Sequence, residues 1–285
     1  MNVRPPRPGV DIDQSAKDRK ARGEPHPDAS VTLGLGLLSI ARAWGYRQGE
    51  PPPVTDALDL LDHAVARGIR FFDTAPAYAA SEQIFGCFLK SQRAGAAKLT
   101  VSTKMGEHWD ADRQSGFVDH SYEALCRSLD RSLELLGRID VLQIHKATVE
   151  ALASKDVARA IDYARSTGIT KIGASISDLG AARMACGSGW FSHIQFPYNR
   201  LSEALEPAFG MARQAGMTVL VNRPFAMGQL IHDKSIDAAN ALPEALGFIL
   251  RQPFQGVILT GTRSKRHLDE SVAAFEQATQ AGPRP

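Results

Sequence analysis

Between Val31 and Gln277 the chain repeats one pattern eight times: a short apolar run, a turn, then an amphipathic segment. The runs are Val31 to Leu38, Ile69 to Phe72, Leu99 to Thr103, Val141 to Ile144, Lys171 to Ala174, His193 to Phe196, Thr218 to Val221 and Gly256 to Leu259. Each reads as a buried strand, because almost nothing polar alternates through it. The first run holds Gly34-Leu35-Gly36, read as a turn. The segments between runs carry apolar residues on one face, as Ala57, Leu58, Leu60, Leu61 and Ala64 do in the helix expected from Thr55 to Arg67. Further helices are expected near Ser81, from Ser121 to Leu136, Lys155 to Thr167, Leu179 to Cys186, Glu203 to Ala215, Pro243 to Arg251 and Lys265 to Gln277. Strands alternating with helices imply βαβ units and a parallel sheet. Eight such units in roughly 250 residues predict a closed (β/α)8 TIM barrel, α/β in class, as a single domain over residues 31–280. No Gly-x-Gly-x-x-Gly follows a strand, which counts against an open dinucleotide-binding sheet.

Composition narrows the function classes. With 33 Lys and Arg against 31 Asp and Glu, the chain has no basic stripe to hold nucleic acid. Cys87, Cys126 and Cys186 are far apart and none belongs to a CxxC pair. That pattern predicts neither a disulfide framework nor a metal site, and fits a reducing, cytoplasmic compartment. No apolar run approaches ~18 residues, so no membrane span is expected. The stretch from Met1 to Asp28 is rich in proline and charge, nearly free of aliphatic side chains, and lacks the apolar centre of a secretory signal. Residues 1–30 therefore read as a disordered or loosely attached N-terminal arm.

The chemistry collects at the ends of the strands. Asp73 and Tyr78 follow the second, Lys104 ends the third in Val-Ser-Thr-Lys, and His145 ends the fourth in Val-Leu-Gln-Ile-His. Barrel closure brings the carboxyl ends of parallel strands around one cavity, where active sites of this architecture sit. A phenol titrates near pH ~10 and is a poor acid at neutrality. An adjacent ammonium favours the phenolate, so Lys104 is expected to lower the pKa of Tyr78, with Asp73 holding Lys104 in place and charged. His145 can direct a ring N–H at a substrate oxygen. The four together suit protonation of a carbonyl that gains electrons, and the electrons must come from a cofactor.

These residues resemble the aldo-keto reductases, (β/α)8 barrels that use NADPH. The resemblance rests on Phe72-Asp73-Thr74-Ala75-Pro76-Ala77-Tyr78, Ser81-Glu82, Gly86, Ser102-Thr103-Lys104 and Asp140-Val141-Leu142-Gln143-Ile144-His145, and covers about Val31 to Phe275. It is strongest for the bacterial branch with short substrate loops. The resemblance implies catalytic roles for Asp73, Tyr78, Lys104 and His145. It also implies an NADPH (NADP+) site made by Gly36, Ser175, Gln195, Asn222, Arg223, Gly261, Thr262, Arg263, Lys265 and Glu270. Gly261-Thr262-Arg263-Ser264 matches the segment that binds the adenosine 2′-phosphate, and a helix start beside Arg263 is a sound anion site. Ile176, Asn222 and Ser271 stand where the family usually has Asn, an aromatic ring and Asn.

Trp44 and Trp109 are the expected walls of the substrate pocket, with Phe225 a weaker candidate. Two aromatic walls and no charged anchor suggest an aldehyde or ketone of modest size. The expected activity is NADPH-dependent carbonyl reduction by a monomer, with only a small-molecule carbonyl as partner. Two alternatives stand beside it: an NAD(P)+-dependent sugar dehydrogenase, and a cofactor-binding regulatory subunit on the same barrel.

Overall fold

The computed structural model describes residues 31–45, 49–91, 96–231 and 240–280. The arm expected at residues 1–30 lies outside them. The strands are β1 (Val31–Gly36), β2 (Phe71–Asp73), β3 (Thr100–Met105), β4 (Glu107–Asp110), β5 (Ser115–Val118), β6 (Val141–Ala147), β7 (Ile172–Ile176), β8 (His193–Pro197), β9 (Thr218–Asn222) and β10 (Gly256–Gly261). Eight of them close into a parallel barrel in the order β1-β10-β9-β8-β7-β6-β3-β2, while β4 and β5 form a separate antiparallel hairpin. The helices are α1 (Val54–Ala66), α2 (Ser81–Ser91), α3 (Tyr122–Leu136), α4 (Val149–Ala153), α5 (Lys155–Ser166), α6 (Leu179–Ser188), α7 (Pro207–Ala215), α8 (Ala241–Leu250) and α9 (Lys265–Gln280). Among the described residues no helix is long and apolar enough to cross a membrane.

The period of two along each strand sorts its side chains between two environments. Phe72, Leu142, Ile144, Ala174, Ile194, Phe196, Val219, Val221 and Ile258 belong to the core between strands and helices. Their neighbours face the barrel interior. At its floor Leu220, Val257 and Leu259 pack with Phe71 in a small cluster of their own. One or two residues further along the strands the interior becomes polar, with Asp73, Ser102, Lys104, Gln143, Ser175 and Gln195 joined by hydrogen bonds. Local alternation thus lifts a polar layer onto an apolar floor.

Two local expectations change, and two further features escape the sequence reading. Gly34-Leu35-Gly36 is not a turn but strand, with Gly34 in register with Leu259. A Cβ at Gly34 would stand 2.6 Å from Val257 Cγ1 and 3.1 Å from the Phe71 carbonyl, so the glycine leaves room for the floor. The Ser81 hydroxyl does not cap its helix; it donates to the Leu37 carbonyl at 3.1 Å and pairs with Thr74 Oγ1 at 2.7 Å. The helix expected from Glu203 begins at Pro207, whose ring suits the first helical turn. The hairpin β4–β5, which the polar run after Lys104 concealed, folds over the rim beside His145.

Candidate active site

Lys104 is fully buried, and its ammonium donates to Asp73 Oδ2 at 2.5 Å and to the Thr74 carbonyl at 2.9 Å. Asp73 also accepts from Ser102 Oγ and Gln143 Nε2, each at 3.0 Å, and from Gln195 Nε2 at 3.2 Å. Burial disfavours the ammonium, but the charge of Asp73 and then Tyr78 outweigh it and raise the Lys104 pKa above the usual lysine range. Lys104 is therefore a fixed cation.

That cation lies 4.8 Å from the centroid of the Tyr78 ring. The pKa of the phenol, however, is raised, not lowered as expected from the sequence. Burial is the largest effect on it, and the pull of Lys104 only partly offsets that desolvation. Tyr78 thus stays protonated at neutrality, and Lys104 counts most once negative charge develops on the oxygen. The His145 ring meets Tyr78 edge-on at 5.9 Å. Burial, followed by the charges of Lys104 and Lys146, holds His145 well below its ordinary pKa, so it is neutral near pH 7.

A cavity of about 1010 Å³ opens over these residues. Asp73, Tyr78 and His145 line it, and Lys104 supports it from beneath. Gly36, Ser175, Gln195, Asn222, Arg223, Gly261, Thr262, Arg263 and Glu270 line it as well. Two expected residues do not. The Lys265 ammonium pairs with Asp59 at 3.2 Å on the outer surface. Trp109 instead lies under Arg42, whose guanidinium is 4.5 Å from the ring centroid and does reach the cavity. Trp44 and Phe225 are wall residues, with Arg223 5.7 Å above the Trp44 ring.

The sequence reading missed the charged side chains of the cavity wall around His145. Glu107, Arg42 and Lys146 all line the cavity, and Glu107 Oε2 is 3.1 Å from His145 Nε2. The available signal was a carboxylate directly after the Lys104 strand, behind a glycine with φ 110° that turns the chain back over the rim. Among the described residues no group of three or more His, Cys, Asp and Glu side chains could hold a metal ion.

The sequence pattern of the aldo/keto reductase family matches residues 32–243, well over half of the chain. The chain belongs to the aldo/keto reductase family. It is 25% identical to a pyridoxal 4-dehydrogenase from Microbacterium luteolum, over 92% of this chain and 94% of that one. An L-galactose dehydrogenase from Arabidopsis thaliana is 24% identical over 88% of this chain and 86% of its own. A solved structure from Pseudomonas aeruginosa, assigned to the aldo-keto reductases, superimposes with a TM-score of 0.73 at 26% identity, over 90% of this chain and 94% of its own. As an aldo/keto reductase the chain is an oxidoreductase acting between carbonyl and alcohol, in a family that uses nicotinamide cofactors.

The residues present in this reductase fit such a cofactor. Asn222 Oδ1 is buried at the cavity wall without a hydrogen-bond partner, an acceptor in need of a donor. Ser175 Oγ donates to Gln195 Oε1 at 3.1 Å, which presents two adjoining polar groups of the kind a carboxamide needs. At the other end Arg263, Ser264 and Arg266 surround the start of α9. The Arg263 guanidinium donates to the Gly49 carbonyl at 2.5 Å, which leaves it in place for an anion.

Proposed function

We propose that this enzyme reduces an aldehyde or ketone to the alcohol with NADPH, and that Tyr78 is its general acid. The observation that carries the reading is the placement of a protonated, half-buried phenol at the cavity wall, over the Lys104 ammonium and edge-on to a neutral His145. When bound, the reduced nicotinamide supplies a hydride, two electrons and one hydrogen, to the carbonyl carbon. The π electrons of the C=O bond then collect on oxygen. Tyr78 passes its proton to that oxygen, which completes the alcohol. His145, which keeps one ring N–H, orients the oxygen beforehand. Lys104 stabilises the phenolate left on Tyr78 until water at the cavity mouth restores the proton.

Arg263 supports the choice of NADPH, because a guanidinium at a helix start suits the 2′-phosphate that NADH lacks. Arg266, held by Glu270 at 2.5 Å, lies within the same cluster and supports it as well. The chemistry suits a cytoplasmic enzyme, where NADPH is available. Absorbance of NADPH at ~340 nm, followed with a panel of aldehydes and ketones and in reverse with alcohols and NADP+, tests the reading. Turnover with NADPH and its loss in Tyr78→Phe are expected. Tight NADPH binding with no turnover in either direction would instead assign the barrel a regulatory role.

A further inference from the structure

We infer that Arg42 is a positioning residue: its guanidinium, bonded to the Ala77 carbonyl and lying on the Trp109 ring, fixes the loop that presents Tyr78 to the cavity. The inference rests on the reductase reading above, in which Tyr78 gives up the proton.

The loop between β2 and α2 has little with which to hold itself. From Ala75 to Ala80 it reads Ala-Pro-Ala-Tyr-Ala-Ala, so the phenol is its one polar side chain. Its two ends are tied from outside: Lys104 Nζ donates to the Thr74 carbonyl at 2.9 Å, and Ser81 Oγ donates to the Leu37 carbonyl at 3.1 Å. Between those ties Tyr78 N bonds the Ala75 carbonyl at 3.0 Å, and the Tyr78 carbonyl accepts from Ser81 N at 3.1 Å. These are two successive tight turns. The second runs through Ala79 at φ 52°, a left-handed conformation that alanine disfavours. Such a conformation persists only where its surroundings fix it, and any relaxation there swings the Tyr78 ring.

Arg42 supplies the restraint. Its Nη1 donates to the carbonyl of buried Ala77, the residue directly before Tyr78, at 3.2 Å. The arginine is itself held at both ends. Its backbone N–H donates to the Leu38 carbonyl at 3.1 Å, and its guanidinium lies over Trp109, 4.5 Å from the ring centroid. Trp109 stands on β4 opposite Gly116 of β5, so its platform is the hairpin and not the Tyr78 loop. One side chain thus joins the first strand–helix loop, the Tyr78 loop and the hairpin. Through it the phenol keeps its place, with the Lys104 ammonium 4.8 Å from the ring centroid. Proton transfer needs that geometry, since a misplacement of about 1 Å can cost about a hundredfold in rate.

Arg42→Met should lower kcat for NADPH-dependent aldehyde reduction about ten- to a hundredfold with KM nearly unchanged. Trp109→Leu, which removes the platform but no cavity-lining group, should lower kcat about two- to fivefold, the worth of a cation over a ring. In single-turnover assays on the Tyr78→Phe background, neither substitution should slow the residual reaction further, because the group they position is gone. Circular dichroism and thermal melting establish that the variants fold, and Trp109→Leu carries the test alone if Arg42→Met does not. A raised KM with unchanged kcat in Arg42→Met would make Arg42 a substrate contact and overturn the inference. Equal losses of kcat in the wild-type and Tyr78→Phe backgrounds would overturn it too, by marking a general structural role. Both outcomes leave the proposed function standing. Full turnover in Tyr78→Phe itself overturns the proposed acid and this inference with it.

Discussion

Gln195 is hydrogen-bonded to Asp73 across the barrel, its amide donating to Asp73 Oδ2 at 3.2 Å while its own oxygen accepts from Ser175 at 3.1 Å. One side chain therefore joins Ser175, in the proposed cofactor site, to the ion pair beneath Tyr78. Gln195→Leu should accordingly weaken NADPH binding and slow turnover at saturating NADPH together, each by roughly tenfold, the worth of a hydrogen bond to a charged group. Cofactor titration by fluorescence and steady-state kinetics separate the two effects. A variant with weaker binding but unchanged kcat would show that the link to Asp73 is passive.

Tyr78→Phe removes one oxygen and keeps the ring, so the fold and NADPH binding should survive. Turnover of an unactivated aldehyde should fall ~10²–10⁴-fold, the usual contribution of a positioned general acid. Lys104→Met should slow the same step, because the cation that stabilises the phenolate is lost. The double variant should be little worse than the worse single one if the two act as a unit. Additive losses in single-turnover kinetics would give Lys104 a separate role.

Arg263→Ala should weaken NADPH by about ten- to a hundredfold and NADH far less, since only NADPH carries the 2′-phosphate. Lys265→Ala should leave the ratio of the two affinities nearly unchanged, because its ammonium pairs with Asp59. Equal losses for both cofactors in Arg263→Ala would exclude Arg263 from phosphate recognition.

Gly86→Ala should destabilise the barrel by about 1–3 kcal/mol or more, the cost of overpacking. A Cβ at this position in α2 would stand only 2.1 Å from the Leu135 carbonyl oxygen of α3. Backbone cannot swing aside as a side chain can, so the two helices must part. Urea unfolding measures the difference, and wild-type stability in the variant would mean that the helices separate at little cost.

Burial, with a smaller contribution from Lys171, lowers the pKa of His193 to about 4. In the unfolded chain an ordinary histidine titrates near ~6.5, so between these values the unfolded state binds more protons. Stability due to His193 is then present above pH ~6.5 and lost as pH falls toward 4, by roughly 3 kcal/mol at most. His193→Gln should unfold in urea with a weaker dependence on pH across that window. Parallel curves for the two proteins would contradict the shift.

The barrel and the polar strand ends were legible in the sequence because both are written in local periodicity. Apolar runs and amphipathic segments repeat along one dimension, and the step of two places Asp73, Lys104 and His145 on the interior side of strands whose outer neighbours are Phe72, Thr103 and Ile144. The sequence alone therefore determined the architecture, the rim that carries chemistry and the identity of the polar quartet. Only the tertiary structure decided what those groups meet. Glu107 reaches His145 across 38 residues of chain, Gln195 reaches Asp73 across 122, Lys265 turns to Asp59, and Trp109 becomes the platform for Arg42. The direction of the Tyr78 shift belongs with them. Desolvation sums over everything that surrounds the phenol, whereas the sequence displays only the nearby charge of Lys104.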